Sequence, residues 1–302
     1  MMAGHNSNIH RNRHAAETDA PPPRKRSPWP LAVIAALFIV VPFLSWYGTW
    51  FGRTLSDADV EKYLRDDEKP RHIQHALSQA ATRIAQGDEG VRRWYPQIIA
   101  LAGSPSTDVR MTAAWVMGED NRAEDFHAAL LRLIEDREPI VRRNAALALV
   151  RFGDRRGRHE LLAMLRPYPV TSPHSGTAMT VLTESTPVAR ESMLARIRSA
   201  DERYEEIRSP LPGRIKQSLV KEGDAVAAGQ ELFVLAPDIA SVWETLRALY
   251  LVGEAEDLAD VERYARGVEG VSDQIKKQAA LTAEAIRRRS SQKDDAATTD
   301  PR

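Results

Sequence analysis

The side chains of this 302-residue chain with the most chemical potential are its histidines and its clustered acids and bases. His72 and His75 stand three residues apart, which puts two imidazoles on one helix face. Such a pair ligates zinc when further ligands complete the set. No carboxylate falls in register with them, so the pair reads as a solvated helix face. His127 and His159 have the same reading, and His5, His10 and His14 lie in a polar N-terminal stretch. Asp154, Arg155, Arg156 and Arg158 form a charged turn between helices, solvated by default and suited to an acidic partner at most. The paired acids Asp66-Asp67 and Glu205-Glu206 are surface charge.

Larger catalytic patterns are missing. The chain has no phosphate-binding GxxxxGK[ST] loop, no GxGxxG, no HExxH and no GxSxG. Cysteine is absent, which excludes disulfides, thiolate metal sites and thiol catalysis while leaving the compartment open. The 42 basic side chains balance the 42 acidic ones, so bulk charge draws the chain to neither nucleic acid nor an anionic surface. No catalytic, cofactor-binding or metal-ligating residue is assigned, no small-molecule substrate is evident, and the chain is expected to be non-enzymatic.

Residues 31–51 run without a charge and are long enough to span a bilayer as a helix. Trp29 stands at one end and Trp46, Tyr47 and Trp50 at the other, where amphipathic rings sit at the membrane interface. Bulky residues replace the small ones that a signal-peptide cleavage site needs, so residues 29–51 are expected to form an uncleaved anchor. Arg24, Lys25 and Arg26 precede the span and only Arg53 closely follows it. The positive-inside rule then predicts a single-pass inner-membrane protein, with residues 1–28 as a disordered cytoplasmic tail and the main domain periplasmic.

Beyond the anchor, helical signals dominate. Ser56 with Asp59 starts one helix, Pro70 starts the next, and Ile73, Leu77, Ala80, Ala81 and Ile84 follow helical spacing to a stop at Gly87. The segment Asp108-Val109-Arg110-Met111-Thr112-Ala113-Ala114 returns 32 residues later as Ile140-Val141-Arg142-Arg143-Asn144-Ala145-Ala146. Gln274-Ile275-Lys276-Lys277-Gln278-Ala279-Ala280 is a looser copy. A period of this length signals a solenoid of helix pairs, with alanines at the close approaches. Arg110 and Arg142 have two readings, an outward contact or a brace of the turn between repeats. The pattern resembles HEAT repeats, particularly those of phycobilisome-lyase-like proteins, over residues 70–166 and 239–289; no bilin-ligating residue accompanies it.

A second internal repeat interrupts the helices. Ser209-Pro210-Leu211-Pro212-Gly213 leads through Leu219, Val220, Gly223-Asp224, Val226 and Gly229-Gln230 to Leu232 and Leu235. Ser172-Pro173-His174-Ser175-Gly176 leads through Leu182, Val188 and Leu194 to Ile197, at an offset of 37 residues that becomes 38 before Val188. At that offset Thr186-Pro187 stands where Gly-Asp is expected. Prolines hold each opening extended, glycines permit the turns, and two such halves can close on each other.

This repeat resembles the biotinyl/lipoyl domain, a barrel-sandwich hybrid of two quasi-symmetric halves. The resemblance implies a carrier lysine eight residues before the second-half proline. That position is Glu202, with Arg203 beside it, and an acid accepts neither biotin nor lipoate. No cofactor is therefore expected, and the module is more similar to that of membrane-fusion proteins.

The expected organisation is mainly α: HEAT-like helices over 56–166, an inserted all-β lipoyl-like domain over 170–237, HEAT-like helices over 238–289 and a disordered tail over 290–302. The expected function is a membrane-anchored, non-enzymatic scaffold that docks other cell-envelope proteins through its solenoid and its β module. The alternative is a membrane-fusion-type periplasmic adaptor of a transport or secretion system, although only residues 198–206 join the two halves, too few for the coiled-coil hairpin typical of such adaptors.

Overall fold

The computed structural model describes residues 54–299, with side chains to residue 292, and among these described residues seven α-helices precede the strands. These are α1 (Asp57–Leu64), α2 (Pro70–Ala85), α3 (Tyr95–Ala100), α4 (Thr107–Met117), α5 (Glu124–Leu133), α6 (Pro139–Arg151) and α7 (Arg158–Leu165). After the strands come α8 (Ile239–Val252), α9 (Leu258–Arg266) and α10 (Asp273–Thr299). The starts follow local chemistry. The Ser56 hydroxyl accepts from the Asp59 N–H at 3.2 Å, Pro70 and Pro139 occupy first turns where no amide donor is needed, and the Asp238 carboxylate accepts from the Ser241 N–H at 3.0 Å.

The helices stack in two layers. One runs α2, α4, α6, α8, α10, each packed on the next, and the other helices back it. The sequence repeat explains the spacing. Val109, Ala113 and Ala114 on α4 and Val141, Ala145 and Ala146 on α6 are all fully buried, so methyl groups set the helix approach. In the third copy Ile275 and Ala279 are buried on α10, but Ala280 is exposed.

An arginine braces each of the first two repeats. The Arg110 guanidinium donates to both carboxylate oxygens of Asp136, at 2.7 and 3.0 Å, and to the carbonyl of Ser104 at 2.9 Å. Thirty-two residues on, Arg142 pairs with Glu160 and donates to the carbonyl of Asp136 at 2.8 Å. Of the two readings of these arginines, the structure therefore gives the brace, which ties each helix start to the following repeat.

Eight strands lie between α7 and α8: β1 (Tyr168–Thr171), β2 (Gly176–Val181), β3 (Pro187–Val188), β4 (Met193–Arg198), β5 (Tyr204–Arg208), β6 (Gly213–Ser218), β7 (Ala225–Val226) and β8 (Glu231–Pro237). They form two antiparallel four-stranded sheets, ordered β1-β8-β6-β3 and β5-β4-β2-β7. Exchanging each strand of the first half with its counterpart in the second turns one order into the other. One apolar core joins the sheets, with Ile215, Phe233 and Leu235 from the first against Leu194, Ile197 and Ile207 from the second. Neither sheet closes into a barrel. The sandwich meets the helices through an ion pair between Arg190 and Asp108 of α4.

One expectation needs correction. Rather than fraying from residue 290, α10 continues to Thr299, because residues 290–299 contain neither glycine nor proline and include the helix formers Ala296 and Ala297. On α8, Val242, Leu246 and Leu249 are buried, whereas Tyr250 is exposed. The expected tail over 1–28 and anchor over 29–51 lie outside the described residues. Among the described residues no helix is long and apolar enough to cross a membrane.

Candidate functional site

The alternation of buried and exposed positions along α4, α6, α8 and α10 leaves one face of that layer uncovered. Trp115 of α4 is 43% exposed, and Leu251 of α8 and Leu281 of α10 are 60% and 54% exposed. Large apolar side chains left in water on a folded domain mark contact surfaces when they cluster. Here they do cluster. With Tyr250 and Leu147 they line one open cavity of about 760 Å³.

Polar side chains punctuate the apolar lining. Asn144 of α6 and Gln278 of α10 occupy the same position of the repeated segment, and both line the groove. Asn144 donates from Nδ2 to the Ile140 carbonyl at 2.8 Å, and Gln278 donates from Nε2 to the Thr282 hydroxyl at 3.3 Å. Thr282 in turn donates to the Leu246 carbonyl at 2.8 Å, fixing α10 against α8.

The charged side chains of the lining are ion-paired. Arg151 pairs with Glu119 at 2.8 Å; the guanidinium is half exposed, whereas the Glu119 side chain is only 15% exposed. Arg247 faces Glu244 at 3.6 Å, an ion pair without a hydrogen bond, with both side chains half exposed. The groove therefore combines exposed apolar side chains with charges that are already paired.

The other polar clusters are engaged in structure. His72 does have a carboxylate within reach, contrary to the sequence reading: its Nδ1 lies 2.7 Å from Asp66 Oδ2, and its ring stacks on Tyr63. His75 contributes a tilted ring contact to the same tyrosine. His127 Nε2 lies 2.7 Å from Asp154 Oδ2, and its ring stacks on Phe152. The hydrogen bond from Arg156 holds the Asp154 carboxyl well below the usual carboxylate range, with further help from the Arg156 N–H and His127.

The charged turn is ion-paired, with Arg155 and Arg156 still exposed to solvent. Arg155 and Arg158 both pair with Glu254, and Arg158 also faces Asp257 at 3.6 Å. Asp257 is fully buried, and burial raises its pKa despite the hydrogen bond from the Glu254 N–H. This cluster fastens the α6–α7 turn to the α8–α9 turn across the inserted strands. Among the described residues, no group of three or more His, Cys, Asp or Glu side chains is placed to hold a metal ion.

Glu202 lies in the tight turn between β4 and β5 at φ +60°. The Ser199 N–H donates to the Arg203 carbonyl at 2.9 Å and the Glu202 N–H to the Ser199 carbonyl at 3.0 Å, closing the turn.

Comparison with known proteins adds a family. Residues 95–171 match the family model of HEAT repeats. No curated protein matches the chain. A solved structure of a single-chain, multi-domain long-chain acyl-CoA carboxylase is similar at 17% identity and a TM-score of 0.23. That match covers 33% of this chain and 11% of the carboxylase. The α3–α7 segment that supplies half of the groove thus carries HEAT repeats, a repeat type that suggests a protein-interaction scaffold.

Proposed function

We propose that this chain is a non-enzymatic scaffold that docks other cell-envelope proteins, with the groove of its helical layer as the main contact. The observation that carries the reading is the gathering of Trp115, Tyr250, Leu251 and Leu281 in one groove built from four helices. Repeat stacks present extended surfaces of this kind to partners. In this reading residues 29–51 anchor the scaffold in the inner membrane, with the N-terminus cytoplasmic and the helices and sandwich periplasmic. The uncharged run at 31–51 and the basic cluster before it support that placement.

Residues 170–237 act, in the same reading, as a lipoyl-like module without a carried group. Support comes from the exchange symmetry of the two sheets and from the hairpin between the halves. The resemblance puts the carrier lysine at that hairpin, where this chain has Glu202. The short turn at 199–203 leaves no room for a coiled-coil hairpin, which weighs against the membrane-fusion alternative.

Co-purification from membranes tests the scaffold. Leu251→Glu with Leu281→Glu should abolish recovery of the partner while leaving the melting temperature unchanged, because both side chains are already exposed. Undiminished recovery would exclude the groove. A biotin or lipoyl adduct in the intact mass would overturn the carrier-free reading, and a C-terminal reporter active in the cytoplasm would overturn the orientation.

A further inference from the structure

The two halves of the sandwich share one turn and differ there in side chain. In the first half it is Ala189-Arg190-Glu191-Ser192, and at the same place the second half has Ala227-Ala228-Gly229-Gln230. Their backbones match. The Glu191 N–H donates to the Ser209 carbonyl at 2.8 Å, as the Gly229 N–H donates to that of Ser172 at 2.7 Å. The Ala189 N–H donates to the Ser192 hydroxyl at 3.1 Å, as the Ala227 N–H does to Gln230 Oε1 at 2.9 Å. Glu191 keeps the positive φ of its glycine counterpart, and the Arg208 guanidinium donates to its carbonyl at 2.7 Å. Where the second half has Ala228, the first has Arg190, whose guanidinium pairs with Asp108 of α4. A braced turn thus presents a long cation to the helices where its twin presents a methyl group.

The chain connections lie elsewhere. The chain enters the sandwich at β1 and leaves it at β8, and these strands are paired, with Tyr168 beside Leu235. Val188, Gly213 and Pro237 form one row across the first sheet. That row is the end facing the helices, because Asp238 caps α8 directly after Pro237. Both connections sit at one side of the sheet, and Arg190 follows β3 at the other. Two strand spacings, roughly 10 Å, separate Pro237 from Val188. The Arg143 guanidinium lies 5.8 Å from the Tyr168 ring centroid, on the side of the connections. The apolar core of the sandwich consists of its own residues and is separate from both cores of the helices.

We propose that the sandwich is a hinged module that turns about its β1 and β8 connections, with Arg190 and Asp108 as the latch that holds it closed on α4. The Arg190 side chain is 22% exposed and that of Asp108 43%, so water and salt reach the pair. An ion pair in that setting is weak enough to break and re-form while both domains stay folded. The latch goes beyond the scaffold reading and does not depend on the groove.

The chain has no cysteine, so paired spin labels can be placed without background. Arg132→Cys on α5 and Lys221→Cys, in the turn after β6, are both at exposed positions. The β6 strand starts in the row facing the helices, so Lys221 lies at the far end of the sandwich, where a turn of the module moves it most. Double electron–electron resonance on the full chain in detergent micelles should give one dominant distance. Arg190→Ala and Asp108→Asn should each raise a second distance about fivefold in population, the scale of one ion pair of this kind. High salt should do the same to the parent and add nothing to Arg190→Ala. Exchanging the charges, Arg190→Asp with Asp108→Arg, should restore the dominant distance, which unfolding of the single variants would not allow. One unchanged distance in every variant and salt would overturn the latch, and so would a second distance that the exchange leaves in place.

Discussion

Gly176 and Gly213 occupy equivalent places in the two halves of the sandwich. A Cβ on Gly176 would stand 2.3 Å from the carbonyl oxygen of Arg198, and one on Gly213 2.4 Å from that of Ala236. Each β-strand start is pressed against the end of a neighbouring segment, and only a residue without a side chain fits. The serines that open the two copies correspond as well. Ser172 donates to the His174 carbonyl and Ser209 to the Leu211 carbonyl, both at 2.6 Å.

Gly176→Ala and Gly213→Ala should each destabilise the sandwich by about 1–3 kcal/mol, since the clash is with backbone that cannot swing away. Urea unfolding followed by intrinsic fluorescence measures this. Unchanged midpoints in both variants would contradict the close approach.

The halves differ at their turns. Gly223 and Gly229 take positive φ in the second half, and Ser185 and Glu191 take it in the first, at φ +65° each. A side chain in this conformation costs about 1–2 kcal/mol relative to the ordinary helical region. Ser185→Gly and Glu191→Gly should therefore raise stability by several tenths to about 1 kcal/mol, even though Glu191 gives up an exposed pair with Arg190. A drop in melting temperature for both would refute the assignment of strain.

Arg110 and Asp136 form a buried bidentate pair, so Arg110→Ala should cost about 3–5 kcal/mol near pH 7 by leaving a covered carboxylate alone. Burial by itself would raise the pKa of Asp136, but the hydrogen bonds from Arg110 and the Glu138 N–H hold it below the ordinary value. A depressed carboxyl stabilises the fold above its unfolded pKa of about 3.9 and loses that contribution as pH falls through the folded value. In the variant burial raises the lone Asp136 carboxyl, so the gap should begin to narrow above about pH 4 and go on narrowing as pH falls toward the depressed wild-type value. A gap independent of pH would contradict the pairing.

Small residues at the helix contacts can be tested by contrast. Ala145 is fully buried, whereas Ala280, one position later in the third copy of the repeat, is exposed. Ala145→Leu should cost about 1–3 kcal/mol and Ala280→Leu less than about 0.5 kcal/mol. Equal effects in thermal melts would mean that the third copy packs as the first two do.

These contrasts show what was legible in the sequence. The repeat at Val109, Ala113 and Ala114 could be read because a stack of helix pairs demands the same small residues at the same interval. The strand repeat could be read for the same reason, and its one-residue offset is visible in the fold: the loop after β2 is a residue shorter than the loop after β6. Its degraded turn was harder. Ser185 rather than Thr186 aligns with Gly223, and a serine at positive φ leaves no compositional mark. The groove was not legible. It joins Trp115 to Leu281 across the inserted strands, and neither residue reveals its neighbour through local spacing. Periodicity identifies a helix face but not whether another element covers it, so the exposure of Tyr250 beside the buried Leu249 is a fact of the fold alone.

The central claim, that this groove docks a protein partner, is tested most directly by a photoreactive benzoylphenylalanine introduced at Leu281 in cells, with the same group at the exposed Lys62 of α1 as control. Irradiation should give one discrete protein adduct from position 281, lost when Leu251→Glu is added, and no such adduct from position 62. A silent position 281, or the same adduct from both positions, would contradict the claim.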